Sequence, residues 1–154
     1  MIVKGERFVA ADPDVVWRLA LDPATLKACI PGCEDLERMD GQTYRASMVA
    51  KVGPVKARFS GQVVIDAGEL PHACRLAGEG SGGIAGFARG SALIHVDRDE
   101  GGSRLTYEAV VEIGGKMASL GERLFRSVVQ RNINDFFDAL AKQVLEYGTD
   151  SVSE

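Results

Sequence analysis

An α+β fold is predicted for this chain of 154 residues: a curved antiparallel sheet of about seven strands wrapped round one long C-terminal helix, with two short helices after the first strand. Three observations carry the prediction. Proline-led helix starts stand at Asp12-Pro13 and Asp22-Pro23, just after a first extended segment. Apolar residues then alternate with period two from Glu34 to Ile113. After Gly114-Gly115 the period changes to about 3.6.

Ile2–Ala10 reads as the opening strand. Asp12 supplies an N-cap and Pro13 a preset φ at the first helical position, so a helix begins there, with Val15, Val16, Trp17, Leu19 and Ala20 on its apolar side. Asp22-Pro23 stops it and starts a second helix through about Ala28. The stretch Ala28–Glu34, A-C-I-P-G-C-E, closes the helical segment. Pro31 suits position i+1 of a type II turn and Gly32 the positive φ of position i+2.

The strands that follow are legible by alternation. Tyr44, Ala46, Met48, Ala50 and Val52 share a face, as do Val55, Ala57, Phe59, Gly61, Val63 and Ile65 in the next strand. Cys74, Leu76 and Gly78 continue the set, then Ala88, Gly90, Ala92, Ile94 and Val96, then Leu105, Tyr107, Ala109, Val111 and Ile113. Asp40-Gly41, Gly53-Pro54, Leu70-Pro71, Gly82-Gly83 and Gly101-Gly102 punctuate the joins. In the helical region Met117, Leu120, Leu124, Val128, Phe136, Leu140 and Val144 fall three, four or eight apart. Phe125, Val129, Ile133 and Phe137 widen the stripe, as a helix lying in a concave sheet requires. That helix is expected to run to Gly148, about 45 Å at 1.5 Å per residue. Residues 1–148 are thus read as one domain and 149–154 as a polar, disordered tail.

Composition narrows the function. A net charge of −4 argues against nucleic-acid binding. Between Gly41 and Ile65, however, Arg45, Lys51, Lys56 and Arg58 occur without an acid, and Lys116, Arg123, Arg126 and Arg131 face only Glu122 in the first half of the long helix. These runs read either as basic faces for an anionic lipid surface or acidic partner, or as solvated surface. The N-terminus lacks a basic flank followed by an apolar core, so a soluble, cytoplasmic protein is expected. Cys29, Cys33 and Cys74, with two histidines, do not supply paired ligand spacing, so no metal site is expected.

Several motifs resolve against catalysis. Gly78-Glu79-Gly80-Ser81-Gly82-Gly83 matches G-x-G-x-x-G, but the following Phe87–Val96 alternates as a strand, leaving no helix N-terminus for a pyrophosphate. The glycines suit a hairpin tip near Phe87 that gates a cavity mouth. His72 and His95 are not tied to a cysteine, and Glu108 and Glu112 fall on the outward face, so no inward acid–base pair is visible. Ala46, Ala50, Ala57, Gly61, Gly78, Gly90, Ala92 and Ala109 are small and inward. They imply an apolar cavity or, alternatively, a close approach of the helix. Tyr107 is either a polar handle for a ligand carbonyl or a core tyrosine.

Val15-Val16-Trp17, Cys29–Glu34, the V-G-P-V-K-A-R-F-S-G run Val52–Gly61, the G-F-A-R-G strand Gly86–Gly90 and the G-G-K-M-A-S-L-G run Gly114–Gly121 together resemble the family of the carbon monoxide dehydrogenase G protein. That family belongs to the START-like helix-grip superfamily, which includes polyketide cyclases and lipid-transport proteins. The resemblance implies a helix-grip fold and a non-catalytic accessory role beside a molybdenum hydroxylase of the carbon monoxide dehydrogenase type. It also implies a quinone or lipid bound non-covalently in the cavity, and peripheral contact with the inner face of the membrane.

The expected cavity wall is Phe59, Phe87, Gly90, Tyr107, Leu120, Leu124 and Val128, with Ile30, Pro31 and Gly32 at the mouth. A second reading is an assembly or membrane-recruitment docking factor that uses Lys56, Arg58 and Arg126 and carries no ligand. A cyclase or hydrolase of the same fold is the weakest reading, for want of an inward acid–base pair.

Overall fold

Strand β1 (Ile2–Val9) leads into helices α1 (Pro13–Ala20) and α2 (Pro23–Cys29), each opened by its proline. A computed structural model describes residues 1–70 and 72–152, with side chains through 147. The Asp22 carboxylate caps α2 by accepting from the Thr25 amide at 3.0 Å. Asp12 flanks α1 without such a bond, and its carboxylate instead accepts from Arg98 of a distant strand at 2.8 Å. Gly32 adopts φ 74°, and the Cys33 amide donates to the Ile30 carbonyl at 3.2 Å, which is the tight turn expected from Pro31-Gly32.

Six strands then run as a meander: β2 (Cys33–Arg38), β3 (Thr43–Val52), β4 (Val55–Asp66), β5 (Ala73–Ser81), β6 (Phe87–Asp99) and β7 (Gly102–Gly114). The first strand returns to the far edge, pairing antiparallel with β7 from Ile2↔Val110 to Val9↔Ser103. The seven-stranded order is therefore β1-β7-β6-β5-β4-β3-β2. The expected break at Leu70-Pro71 involves residue 71, which lies outside the described residues.

Glycines at the centre of the sheet set its curvature. A Cβ on Gly61 would meet the Glu79 carbonyl oxygen and lie 2.6 Å from Cα of Gly80 on the next strand. On Gly90 it would lie 2.7 Å from the Val110 carbonyl oxygen, and on Gly78 it would lie 2.9 Å from Cγ2 of Val63. In each case an adjacent strand fills the space a side chain would need, which is how glycine permits a sharp strand bend. The obstruction comes from the sheet itself, so these glycines do not serve to admit the helix.

A 3₁₀ turn at Gly115–Leu120 precedes the long helix α3 (Glu122–Val152). The helical period in the sequence thus begins before the α-helix does, because Gly121, at φ 95°, interrupts the backbone. At the other end α3 passes the expected stop at Gly148, as an isolated glycine allows at a cost of about 1 kcal/mol. Of the expected tail, residues 153 and 154 lie outside the described residues.

Two apolar clusters hold α3 to the sheet. One, under α1 and α2, joins Val16, Trp17, Cys29, Cys74, Phe137 and Leu140. The other, toward the start of α3, joins Val52, Phe59, Ala85, Met117, Phe125 and Val128. Between them the helix backbone approaches the flanking strands β1 and β3 more closely than the strands between, and so bridges the concave centre.

Gly61→Ala is expected to destabilise the fold by about 2 kcal/mol or more through overpacking against fixed backbone. Gly41→Ala, with nothing within 4 Å of its added carbon, is expected to stay within about 0.5 kcal/mol of the parent. Denaturant unfolding of the two variants checks the contrast.

Candidate ligand cavity

The bridged space is a cavity of about 410 Å³ between the concave face and α3. Strands β3 to β7 line it with small and apolar residues that share one pleat face, among them Ala46, Met48, Val63, Leu76, Ala92 and Ala109. From α3 come Phe125, Val128, Val129 and Asn132, at positions i, i+3, i+4 and i+7 of one helix face, and Met117 closes one end. Depressions of about 490 and 560 Å³ also mark the convex face. These lie on the solvent side and are lined by charged chains such as Arg89, Glu112, Arg75 and Glu108.

Of the residues expected to form the site, Phe59, Gly90 and Val128 line the cavity. Phe87 does not. It is exposed on the convex face, one residue out of phase with Ala88 and Gly90, with the Arg89 guanidinium 5.7 Å above its ring. Tyr107 faces the concave side but belongs to the cluster beneath α1, its ring 5.7 Å from that of Phe137. Leu120 and Leu124 pack into the second cluster, and Leu124 covers the β3–β4 turn at Gly53. About 100° of helical rotation separates Leu124 from the inward Phe125.

The Ile30-Pro31-Gly32 turn is not among the lining residues either. It is fastened to the sheet edge, where the Val49 amide donates to the Gly32 carbonyl at 2.9 Å. The glycine-rich hairpin does reach the end of the cavity closed by Met117, since Ala85 is buried in the same cluster. Ile84 beside it is 92% exposed.

Met48, Met117, Phe125 and Val129 are legible in the sequence as inward-facing, though not as cavity wall. Asn132 escapes the apolar pattern altogether. Its signal is the eight-residue interval between Val128 and Phe136 in the apolar series, which it divides equally.

Charge stays outside. Arg89 makes a double hydrogen bond to Glu112, both at 2.9 Å, and Arg58 likewise grips Glu34 at 2.6 and 3.1 Å. Each arginine holds its carboxyl partner below the usual carboxylate range. Glu79 and Gln62, which touch the cavity beside the glycines, are exposed on strands whose alternation turns them outward. Among the described residues no group of three or more histidine, cysteine or acidic side chains is placed to hold a metal. Cys29 and Cys74 are buried, and burial raises both thiols; Cys33 is half-buried, hydrogen-bonded to the Asp35 carbonyl, and also raised chiefly by burial.

The model of the CoxG family, that of the carbon monoxide dehydrogenase G protein, matches residues 5–145. No curated protein matches the chain. Among solved structures, a conserved protein from Geobacillus kaustophilus is similar at 27% identity and TM-score 0.89, over 95% of this chain and 96% of that one. A protein from Thermus thermophilus is similar at 25% identity and TM-score 0.72, over 96% and 99%. An aromatase/cyclase from Streptomyces shares the fold at 15% identity and TM-score 0.66, over 94% and 93%. The expected helix-grip architecture is thereby shown.

Thiol exposure yields a direct check. Ellman's reagent added to the native protein is expected to label Cys33 first, with Cys29 and Cys74 reacting only on unfolding. Equal rates at all three would contradict the burial described.

Proposed function

The chain belongs to the CoxG family of carbon monoxide dehydrogenase proteins, and from that premise we propose that it is a non-catalytic accessory protein that carries a neutral apolar molecule, a quinone or lipid, for a molybdenum hydroxylase. The cavity is the observation that carries this reading. Its volume falls within the roughly 300–1,000 Å³ of small-molecule sites. Its wall is almost wholly apolar, and among the described residues no pair of inward titratable groups lines it to support acid–base chemistry. Family membership supports the choice of partner.

Filling the cavity tests the carrier. Ala92→Phe, placed mid-wall, is expected to abolish retention of an extracted or added quinone or lipid in native mass spectrometry, with the far-ultraviolet spectrum unchanged. Gly90 is a poor site for this, because its substituent would strike the Val110 carbonyl before reaching the cavity. A parent protein that retains neither class of molecule, or a filled variant that retains as much as the parent, would refute the reading.

Docking is favoured by a separate observation at the β3–β4 hairpin. Lys51 and Lys56 are direct cross-strand partners, a like-charge arrangement that destabilises a hairpin, and both are exposed without an ion-pair partner among the described residues. Arg58 and Arg126, by contrast, are engaged with Glu34 and Glu122. We therefore propose the hairpin, rather than those arginines, as the contact with an acidic surface of the hydroxylase. Lys51→Glu with Lys56→Glu is expected to weaken co-purification with that enzyme at least tenfold while ligand retention stays intact. Unchanged co-purification would remove docking at this hairpin.

A further inference from the structure

We infer that Asn132 is the polar anchor of the cavity, and that the cavity selects neutral molecules bearing a carbonyl or hydroxyl on an apolar body. The inference rests on the carrier reading and adds to it the chemistry of the ligand. Asn132 stands at the i+7 position of the helix face formed by Phe125, Val128 and Val129, where every other lining residue of α3 is apolar. It is half-buried, and no described residue hydrogen-bonds its side chain. No side-chain nitrogen or oxygen in the described structure is both sealed from solvent and unpaired, so the carboxamide is open to accessible space, and Asn132 is among the residues that line the cavity.

A carboxamide among apolar groups is unfavourable unless something pairs with it. It offers two N–H donors and one carbonyl acceptor. Rotation of the amide lets it donate to a ring carbonyl or accept from a ring hydroxyl, so one residue serves both the oxidised and reduced forms of a quinone-like ring. A carboxylate ligand can accept the same N–H bonds but finds no cation to balance its buried charge, because Arg89, the one cation among the lining residues, lies on outward-facing pleat and is held by Glu112.

The test uses the full chain and three probes of similar shape: a naphthoquinone methylated at both open ring positions, so that thiols do not add to it; its hydroquinone, kept reduced; and the matching dimethylnaphthalene. In Asn132→Leu, binding of the quinone and hydroquinone is expected to weaken about five- to tenfold, the worth of one hydrogen bond. The hydrocarbon should bind as well as before or better. Asn132→Asp, acceptor-only when ionised, should retain the hydroquinone and lose the quinone. If Asn132→Leu alters all three probes equally, or none, the anchor is refuted while the carrier stands. If the parent binds none of them, both readings fall together.

Discussion

The bend at the centre of the sheet is the constraint on which the remaining architecture depends. Gly61, Gly78 and Gly90 sit where neighbouring strands occupy the position of a Cβ. Only glycine fits such close approaches without displacing backbone. The bend makes one face concave and carries α3 across it as a bridge, fastened by an apolar cluster at each end. With alanines for its small wall, the space between remains open at about 410 Å³. Normal interiors fill such space with side chains, so leaving it open forgoes dispersion contacts that a solid core would keep.

The same pleat that forms the cavity sorts charge from it. Alternate residues of β4 to β7 put Gln62, Glu79, Arg89 and Glu112 on the solvent side and glycine, alanine, valine or leucine on the other. The outward Arg89–Glu112 and Arg58–Glu34 pairs are exposed and contribute little stability. Their structural consequence is that these guanidinium groups are occupied outside. Of the residues that α3 contributes to the lining, Asn132 alone is polar.

Local rules account well for the elements. Pro13 and Pro23 begin the helices where a preset φ is free, Gly32 turns the chain at a positive φ, and the alternating sets read for β3 to β7 all fall within the observed strands. The candidate site is less legible. Phe87 suggests itself as a large apolar residue at the glycine-rich hairpin expected to gate the cavity mouth, although a strand that turns Ala88 inward sends its neighbour to the opposite face. Leu120 and Leu124 lie on the apolar side of the helical region, but a stripe broader than one ridge does not say which of its rows faces the cavity and which packs at the end. The Ile30-Pro31-Gly32 segment is legible as a turn, yet its destination depends on a hydrogen bond to Val49, from a strand that follows later in the chain.

What the sequence determined by itself is therefore periodic and local: the α+β class, a meander of strands, two proline-started helices and a long amphipathic helix. These follow from steric limits on φ and from the burial of apolar faces, both of which act over a few residues. The tertiary structure decided the return of β1 to β7, the place where the glycine bends align across three strands, and the side of α3 that looks into the resulting space. Those depend on contacts between residues far apart in the chain, such as Ile2 with Val110. No local preference encodes them, because their energy exists only once both partners have been brought together.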